Sequence, residues 1–238
     1  MLHQQIPIAQ FPPSQMMSRA AALPRPAPAR ALADPPGLDV PGMSITVRSG
    51  QTIYRDGDPS TYCYRLVSGG ARIVKLVADG RRGICEFVMP GDYLGLEAGP
   101  IYACSAEAVT HSILWRYRRR DIEANLQRNT SSALGLVRIL ARAVETSRRR
   151  AAYSCRMSAS ERVARFLLDL ADRLPHAKDG EIQLPMARSD IGDYLGIATE
   201  TVSRVFTSLR AQGAIALSGT RGVRLLDREL LEDIHDET

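Results

Sequence analysis

Hydrophobic periodicity changes twice along this chain, and each change restricts the fold more sharply than any total count does. Between residues 45 and 115 the apolar residues come in short β-rich runs: Ile45-Thr46-Val47, Thr52-Ile53-Tyr54, Cys63 to Val67, Ala71 to Val77, Gly83 to Val88 and Ile113-Leu114-Trp115. Turn signals separate them, namely Asp56-Gly57-Asp58-Pro59, Ser68-Gly69-Gly70, Asp79-Gly80 and Pro90-Gly91-Asp92. Short strands with turn signals roughly every 8–12 residues predict an antiparallel sandwich or barrel, and Asp79-Gly80 is a two-residue hairpin signal. The expected unit is a β-roll over 43–118.

From about residue 119 to 153 the period becomes helical. Val137, Leu140, Val144, Ser147 and Ala151 fall on a 3-4 spacing and form one narrow seam, while Arg138, Arg142, Glu145 and Arg148 to Arg150 occupy the other faces. A two-stranded coiled coil needs only such a strip, so residues 119–156 are expected to form a dimerisation helix and hinge in a parallel homodimer. The alternative is a helix lying on its own β-domain. Small Ser147 and Ala151 weaken the seam toward its C-terminal end.

The second change comes at 157–238. Ser160 to Leu174 is strongly amphipathic, opens on Ser and Glu, and stops before Pro175. Two shorter helical runs follow, Ser189 to Leu195 and Thr199 to Gln212, joined through Gly196; then come the strand-like runs Ile215-Ala216-Leu217 and Val223 to Leu226 around Ser218-Gly219-Thr220. Two short helices joined by a Gly turn and followed by a hairpin make a winged helix-turn-helix. An acidic terminal helix is expected to close the chain.

Charge becomes informative once it is divided along the chain. The formal net charge of +5 leaves nucleic acid or an anionic membrane open as partners. Residues 116–160 carry eleven Arg against three acids, whereas 161–226 is nearly balanced and 227–238 holds six acids and one Arg. Nine of the fourteen prolines lie in residues 1–42, a density that disfavours regular structure and predicts a disordered tail. No apolar run is long enough to span a bilayer, and the start shows no secretory pattern, so a cytoplasmic protein without membrane attachment is expected. Four cysteines, Cys63, Cys85, Cys104 and Cys155, are too dispersed for a disulfide framework or a CxxC metal clip. Cys63, Cys85 and Cys104 are expected to be small core residues, and Cys155 the exposed thiol.

In the run Ala187 to Ile215, Val202, Val205, Phe206 and Leu209 form one helix face and leave Thr199, Glu200, Ser203, Arg204 and Thr207 on the other. That second face has the chemistry of base reading. Arg donates two hydrogen bonds to guanine, Glu accepts from cytosine, and Ser or Thr approaches thymine. Glu200 and Arg204 are also spaced i,i+4, so a solvated surface ion pair is the competing explanation.

The order of elements, with the Glu200-Thr201-Val202-Ser203-Arg204 run, resembles the CRP/FNR family of bacterial transcription regulators. Ile53 to Asp58, Cys63-Tyr64, Ala78 to Arg82 and Pro90 to Gly99 are similar to its FixK branch. The resemblance implies an α+β fold: an N-terminal β-roll like the cyclic-nucleotide-binding jelly roll, a long dimerisation helix and a C-terminal winged helix-turn-helix. It implies a homodimer on double-stranded DNA at TTGA-like palindromes, with Glu200, Ser203 and Arg204 reading bases. Thr199 would sit near the phosphate backbone, with Arg188, Thr201 and Arg221 as further backbone candidates. Asp79 and Arg81 would be candidate contacts to RNA polymerase, and the regulated genes those of microaerobic respiration or nitrogen fixation.

Departures from the family bear on the effector. A buried cyclic-nucleotide phosphate needs a fixed cation, and the corresponding stretch, Gly95-Leu96-Glu97 and then Cys104-Ser105, carries Cys104 where the family's Arg would stand. An iron-sulfur sensor needs four thiolates, mostly near the N-terminus, and the first 62 residues contain no Cys. His3, His111, His176 and His235 are isolated, which disfavours haem, and a cupin-type metal enzyme cannot be built with one His between 45 and 150. The expected regulator is therefore neither an enzyme nor dependent on a cofactor or metal; the alternative is a CRP-like regulator gated by a small molecule in the β-roll.

Overall fold

A computed structural model describes residues 38, 40–76, 82–154, 157–174 and 180–236. Residues 1–30 form a unit apart from 31–238 and lie outside the described residues, as does most of the rest of the Pro-rich segment.

Eight strands fill the first part of the second unit: β1 (Met43–Val47), β2 (Thr52–Tyr54), β3 (Tyr62–Ser68), β4 (Ala71–Leu76), β5 (Arg82–Val88), β6 (Tyr93–Leu94), β7 (Ser105–Ala108) and β8 (Ser112–Arg118). They form two antiparallel four-stranded sheets, ordered β1-β8-β3-β6 and β2-β7-β4-β5. Alternation along β3 shows why. Tyr64 and Leu66 face the core between the sheets with Val47, Tyr54, Ala106 and Leu114, whereas Cys63 points outward into a second cluster with Tyr117 and Ile122. The turn from β3 to β4 depends on Gly69, whose φ of +89° is open to glycine and where a Cβ would strike Ser112 Oγ and the His111 carbonyl. The Asp79-Gly80 turn lies outside the described residues, but the strands flanking it pair as a hairpin, Leu76 opposite Arg82.

The helical stretch consists of a short helix, α1 (Arg119–Arg128), and a long one, α2 (Thr130–Ser154). Asn129 makes the break. Its backbone is extended, its N–H still reaches the Asn125 carbonyl, and its side-chain oxygen accepts from the Ser132 N–H at 3.2 Å, starting a new helix. Ile122 of α1 seals the outer face of the first sheet.

In the C-terminal part, α3 (Ala159–Arg173) starts one residue earlier than its apolar pattern implies. A reciprocal capping box sets that start: Ser158 N–H donates to Glu161 Oε2 at 2.6 Å, and Glu161 N–H donates to Ser158 Oγ at 3.3 Å. Strand β9 (Glu181–Gln183), α4 (Arg188–Leu195), α5 (Thr199–Ala211), β10 (Ile215–Ser218), β11 (Gly222–Leu225) and α6 (Arg228–Asp236) complete the chain. The wing has three strands, β10-β11-β9, where the sequence pattern showed two. With a single apolar residue, fully buried Ile182, β9 is too short to display alternation.

The two parts share a core. Val74, Ile84, Phe87 and Met89 of the roll cluster with Phe166, Leu167 and Leu170 of α3, Ile191 of α4 and Phe206 of α5. Phe87 packs on Tyr194 and Phe166, with ring centroids 5.0 and 6.1 Å apart. Arg72 of β4 adds a polar link, bonding Glu107 and, through Nη1, Asp190 Oδ1 at 2.6 Å; Arg173 of α3 pairs with Asp92 in the β5–β6 turn.

Candidate nucleic-acid interface

Helix α5 crosses α4 through a turn that two glycines permit. Gly196 takes a left-handed conformation at the α4 C-cap (φ 68°), and a Cβ on Gly192 would lie 2.7 Å from the Ile197 carbonyl oxygen, so only glycine lets the helices approach this closely. Beyond the turn, Val202, Val205, Phe206 and Leu209 are buried, which orients the opposite face outward.

Glu200, Ser203, Arg204 and Thr207 are exposed on that outer face, Thr199 and Thr201 half-buried beside them. Among the described residues neither Glu200 nor Arg204 has an ion-pair partner, although i,i+4 spacing permits one; the charges of both are directed to solvent at the first turns of the helix. Ser203 Oγ donates to the Thr199 carbonyl at 3.0 Å, and Thr207 Oγ1 to the Ser203 carbonyl at 3.0 Å. With its proton held on the helix, the Ser203 hydroxyl presents acceptor lone pairs outward. The outer face thus offers a fork of donors, a carboxylate acceptor and a hydroxyl acceptor within two turns.

The other backbone candidates have separate surroundings. Arg188 is half-buried with its guanidinium 3.3 Å from the Phe206 ring centroid, and burial holds its pKa down at about 10. It is committed to the α4–α5 packing rather than extended into solvent. Arg221, exposed on the wing, donates to the Pro185 carbonyl. Asp79 and Arg81 lie outside the described residues, as does Cys155.

Along α2, Leu134, Val137, Leu140 and Val144 are 54%, 61%, 40% and 49% exposed, an uncovered apolar stripe on a 25-residue helix. Ser147 is exposed too, and the side chain of Ala151 lies outside the described set. At the start of α1, Arg119 donates to the carbonyls of Gly99 and Gly95 at 3.0 and 3.1 Å, while Arg116 stacks over Tyr62.

Inside the roll, the Tyr54 and Tyr102 rings stack at 3.9 Å and Tyr64 lies 5.8 Å from Tyr54. Burial, with Glu97 nearby, drives the Tyr54 phenol well above its usual pKa. Cys104 is half-buried at this end. Cys63 is buried, its thiol pushed up to about 12 by desolvation; Cys85, expected in the core, is exposed on β5 because it is the extra residue of the bulge opposite Ile73 and Val74. No group of three or more His, Cys, Asp or Glu among the described residues is arranged to hold a metal. Nor is any described helix long and apolar enough to cross a membrane.

A β-roll joined by long helices to a winged helix-turn-helix with an exposed polar recognition face defines a DNA-binding transcription regulator. A cyclic nucleotide-binding domain model matches residues 44–129 and a Crp-like helix-turn-helix domain model matches 161–234. The nitrogen fixation regulation protein FixK of Rhizobium meliloti (strain 1021) is 36% identical over 201 residues, spanning 84% of this chain and 90% of that protein. FixK of Azorhizobium caulinodans is 38% identical over 193 residues, 80% and 78% of the two chains. The structure of FixK2 from Bradyrhizobium japonicum superposes with a TM-score of 0.79 at 36% identity, covering 84% of this chain and all of that one. The chain belongs to the CRP/FNR family as a FixK-type transcription regulator.

Proposed function

We propose that this regulator acts as a homodimer that reads a two-fold operator with TTGA-like half-sites, activates transcription with RNA polymerase, and needs neither cyclic nucleotide nor an iron-sulfur cluster. The unpaired outer face of α5 carries this reading. Arg204 would donate to guanine O6 and N7, Glu200 would accept from cytosine N4, and the Ser203 hydroxyl oxygen would accept a base or water proton. Thr199 at the helix start would stand near a phosphate, with Thr201 and Arg221 as flanking backbone contacts. The exposed stripe Val137, Leu140 and Val144 supports pairing through α2, continuing through Ser147 and Ala151. In the roll, stacked Tyr54 and Tyr102, and Cys104 in place of a fixed cation, support activity without a bound nucleotide. The names of its FixK relatives support nitrogen-fixation genes as the targets, and the resemblance to the FixK branch extends the proposal to genes of microaerobic respiration.

Footprinting on a TTGA-type palindrome without added ligand tests the proposal. The parent chain is expected to protect both half-sites, and Arg204→Ala to lose about 1–3 kcal/mol per half-site. Unchanged protection in that variant would refute the recognition assignment. Cyclic AMP is expected to leave the footprint unchanged, and a large stimulation would favour a regulator gated by a ligand in the roll.

A further inference from the structure

Strand β4, paired with β5 on one side and β7 on the other, brings two thiols nineteen positions apart in the chain to its two flanks. Val74 of β4 pairs with Ile84 on one side and with Ser105 on the other, so Cys85 and Cys104, each next to one of those partners, flank the same row of the sheet. Their thiols lie in hydrogen-bond contact. Lys75, the next residue along β4, lies against them: its ammonium donates to Asp56 Oδ2 at 2.7 Å and to the carbonyl of Ala103, the neighbour of Cys104. Cys85 is exposed and Cys104 half-buried, which gives the pair one thiol open to solvent and one held behind it. Cys63 lies buried on the other sheet.

We propose that Cys85 and Cys104 are a dithiol oxidation site, converted by a peroxide to an intrachain disulfide. In the first step the Cys85 thiolate attacks a peroxide oxygen; an S–O bond forms, the O–O bond breaks, and the departing hydroxide takes a proton and leaves as water. Solvent at the exposed Cys85 supplies that proton. In the second step the Cys104 thiol gives its proton to solvent and the thiolate attacks the Cys85 sulfenic sulfur; the S–S bond forms, the S–O bond breaks, and the departing hydroxide takes a proton back from solvent and leaves as a second water. Two thiols and one hydrogen peroxide give one disulfide and two waters. A disulfide requires the sulfurs to close to roughly 2 Å. Cys85 and Cys104 stand on the two sides of β4, roughly 9–10 Å apart at the backbone, beyond the roughly 7 Å that a disulfide spans without backbone movement, so closure requires the Cys85 bulge and the bend at Cys104 to shift toward each other. The bridge would tie β5 to the start of β7 across β4, beside Val74 and Ile84, which belong to the core shared with the DNA-binding part.

The test uses the reduced full-length chain, exposed to hydrogen peroxide, blocked with an alkylating reagent and mapped by mass spectrometry. Residues 83–116 form one tryptic peptide containing both cysteines; it is expected to be two hydrogen masses lighter, unalkylated, and to stay joined after cleavage at Glu86 and Glu97. Dithiothreitol is expected to restore two alkylatable thiols. In Cys104→Ser the Cys85 sulfenic acid is expected to persist and be captured by dimedone. This variant replaces one sulfur by oxygen, and circular dichroism checks that it folds. The proposal is overturned if both thiols in 83–116 survive peroxide that oxidises free cysteine, if Cys85 passes instead to sulfinic acid, or if the linkage found joins two chains. None of these outcomes depends on DNA binding, so failure here leaves the operator reading standing.

Discussion

Arg204 and Arg188 lie sixteen positions apart in the same helix-turn-helix and meet opposite fates. Arg204 points outward from α5 with no ion pair among the described residues, whereas Arg188 folds back over Phe206. The spacing of Val202, Val205, Phe206 and Leu209 was enough to predict which side of α5 faces outward. Nothing in the spacing of Arg188 revealed that a ring from the next helix would take its guanidinium. Two predictions belong to this scale. Glu200→Gln is expected to lower discrimination at the base pair it reads by about 1–3 kcal/mol while leaving stability intact, as measured by titration against operators varied one base pair at a time. Arg188→Met keeps the contact with Phe206 and removes a half-buried charge, so unfolding free energy is expected to stay level or rise by up to about 1 kcal/mol. Operator affinity and its salt dependence are expected to hold in that variant; a slope lower by about one would show that Arg188 reaches a phosphate after all.

At the scale of elements, α2 carries the least satisfied surface in the described chain. Four large apolar side chains remain 40–61% exposed along it. Substituting Leu140→Asp would place a charge in the seam of the proposed homodimer. Sedimentation is expected to show a monomer, with operator affinity falling at least tenfold because two half-sites would no longer be read together; a stable dimer in that variant would move the interface elsewhere. The exposed stripe of Val137, Leu140 and Val144 was legible as a 3-4 spacing, and helix α5 as a run between two glycines. The interruption at Asn129 was not, because it depends on a side-chain cap for α2 rather than on a break in apolar pattern. Strand β9 was hidden for a related reason: Ile182 is one apolar residue, and its partner strand lies forty residues away.

Over the whole molecule, the DNA-binding part is packed onto the roll by Phe87, Phe166 and Tyr194 and by Arg72 bridging Glu107 and Asp190. Phe87→Ala is expected to cost about 3–5 kcal/mol and to separate one cooperative denaturation into two, followed by tryptophan fluorescence at Trp115 in the roll and by far-ultraviolet circular dichroism for the helices. A single unchanged transition would mean that the two parts are coupled by other contacts. The sequence by itself determined the class of each segment and the outward face of α5, because helical and strand periods and glycine turns are local properties written in neighbouring residues. The tertiary structure alone decided that Val74, Ile84 and Phe87 join the helical core, that Arg188 stacks on Phe206, and that Cys85 meets Cys104. Those outcomes depend on which faces of distant elements come together, and that choice is made by packing across the whole fold.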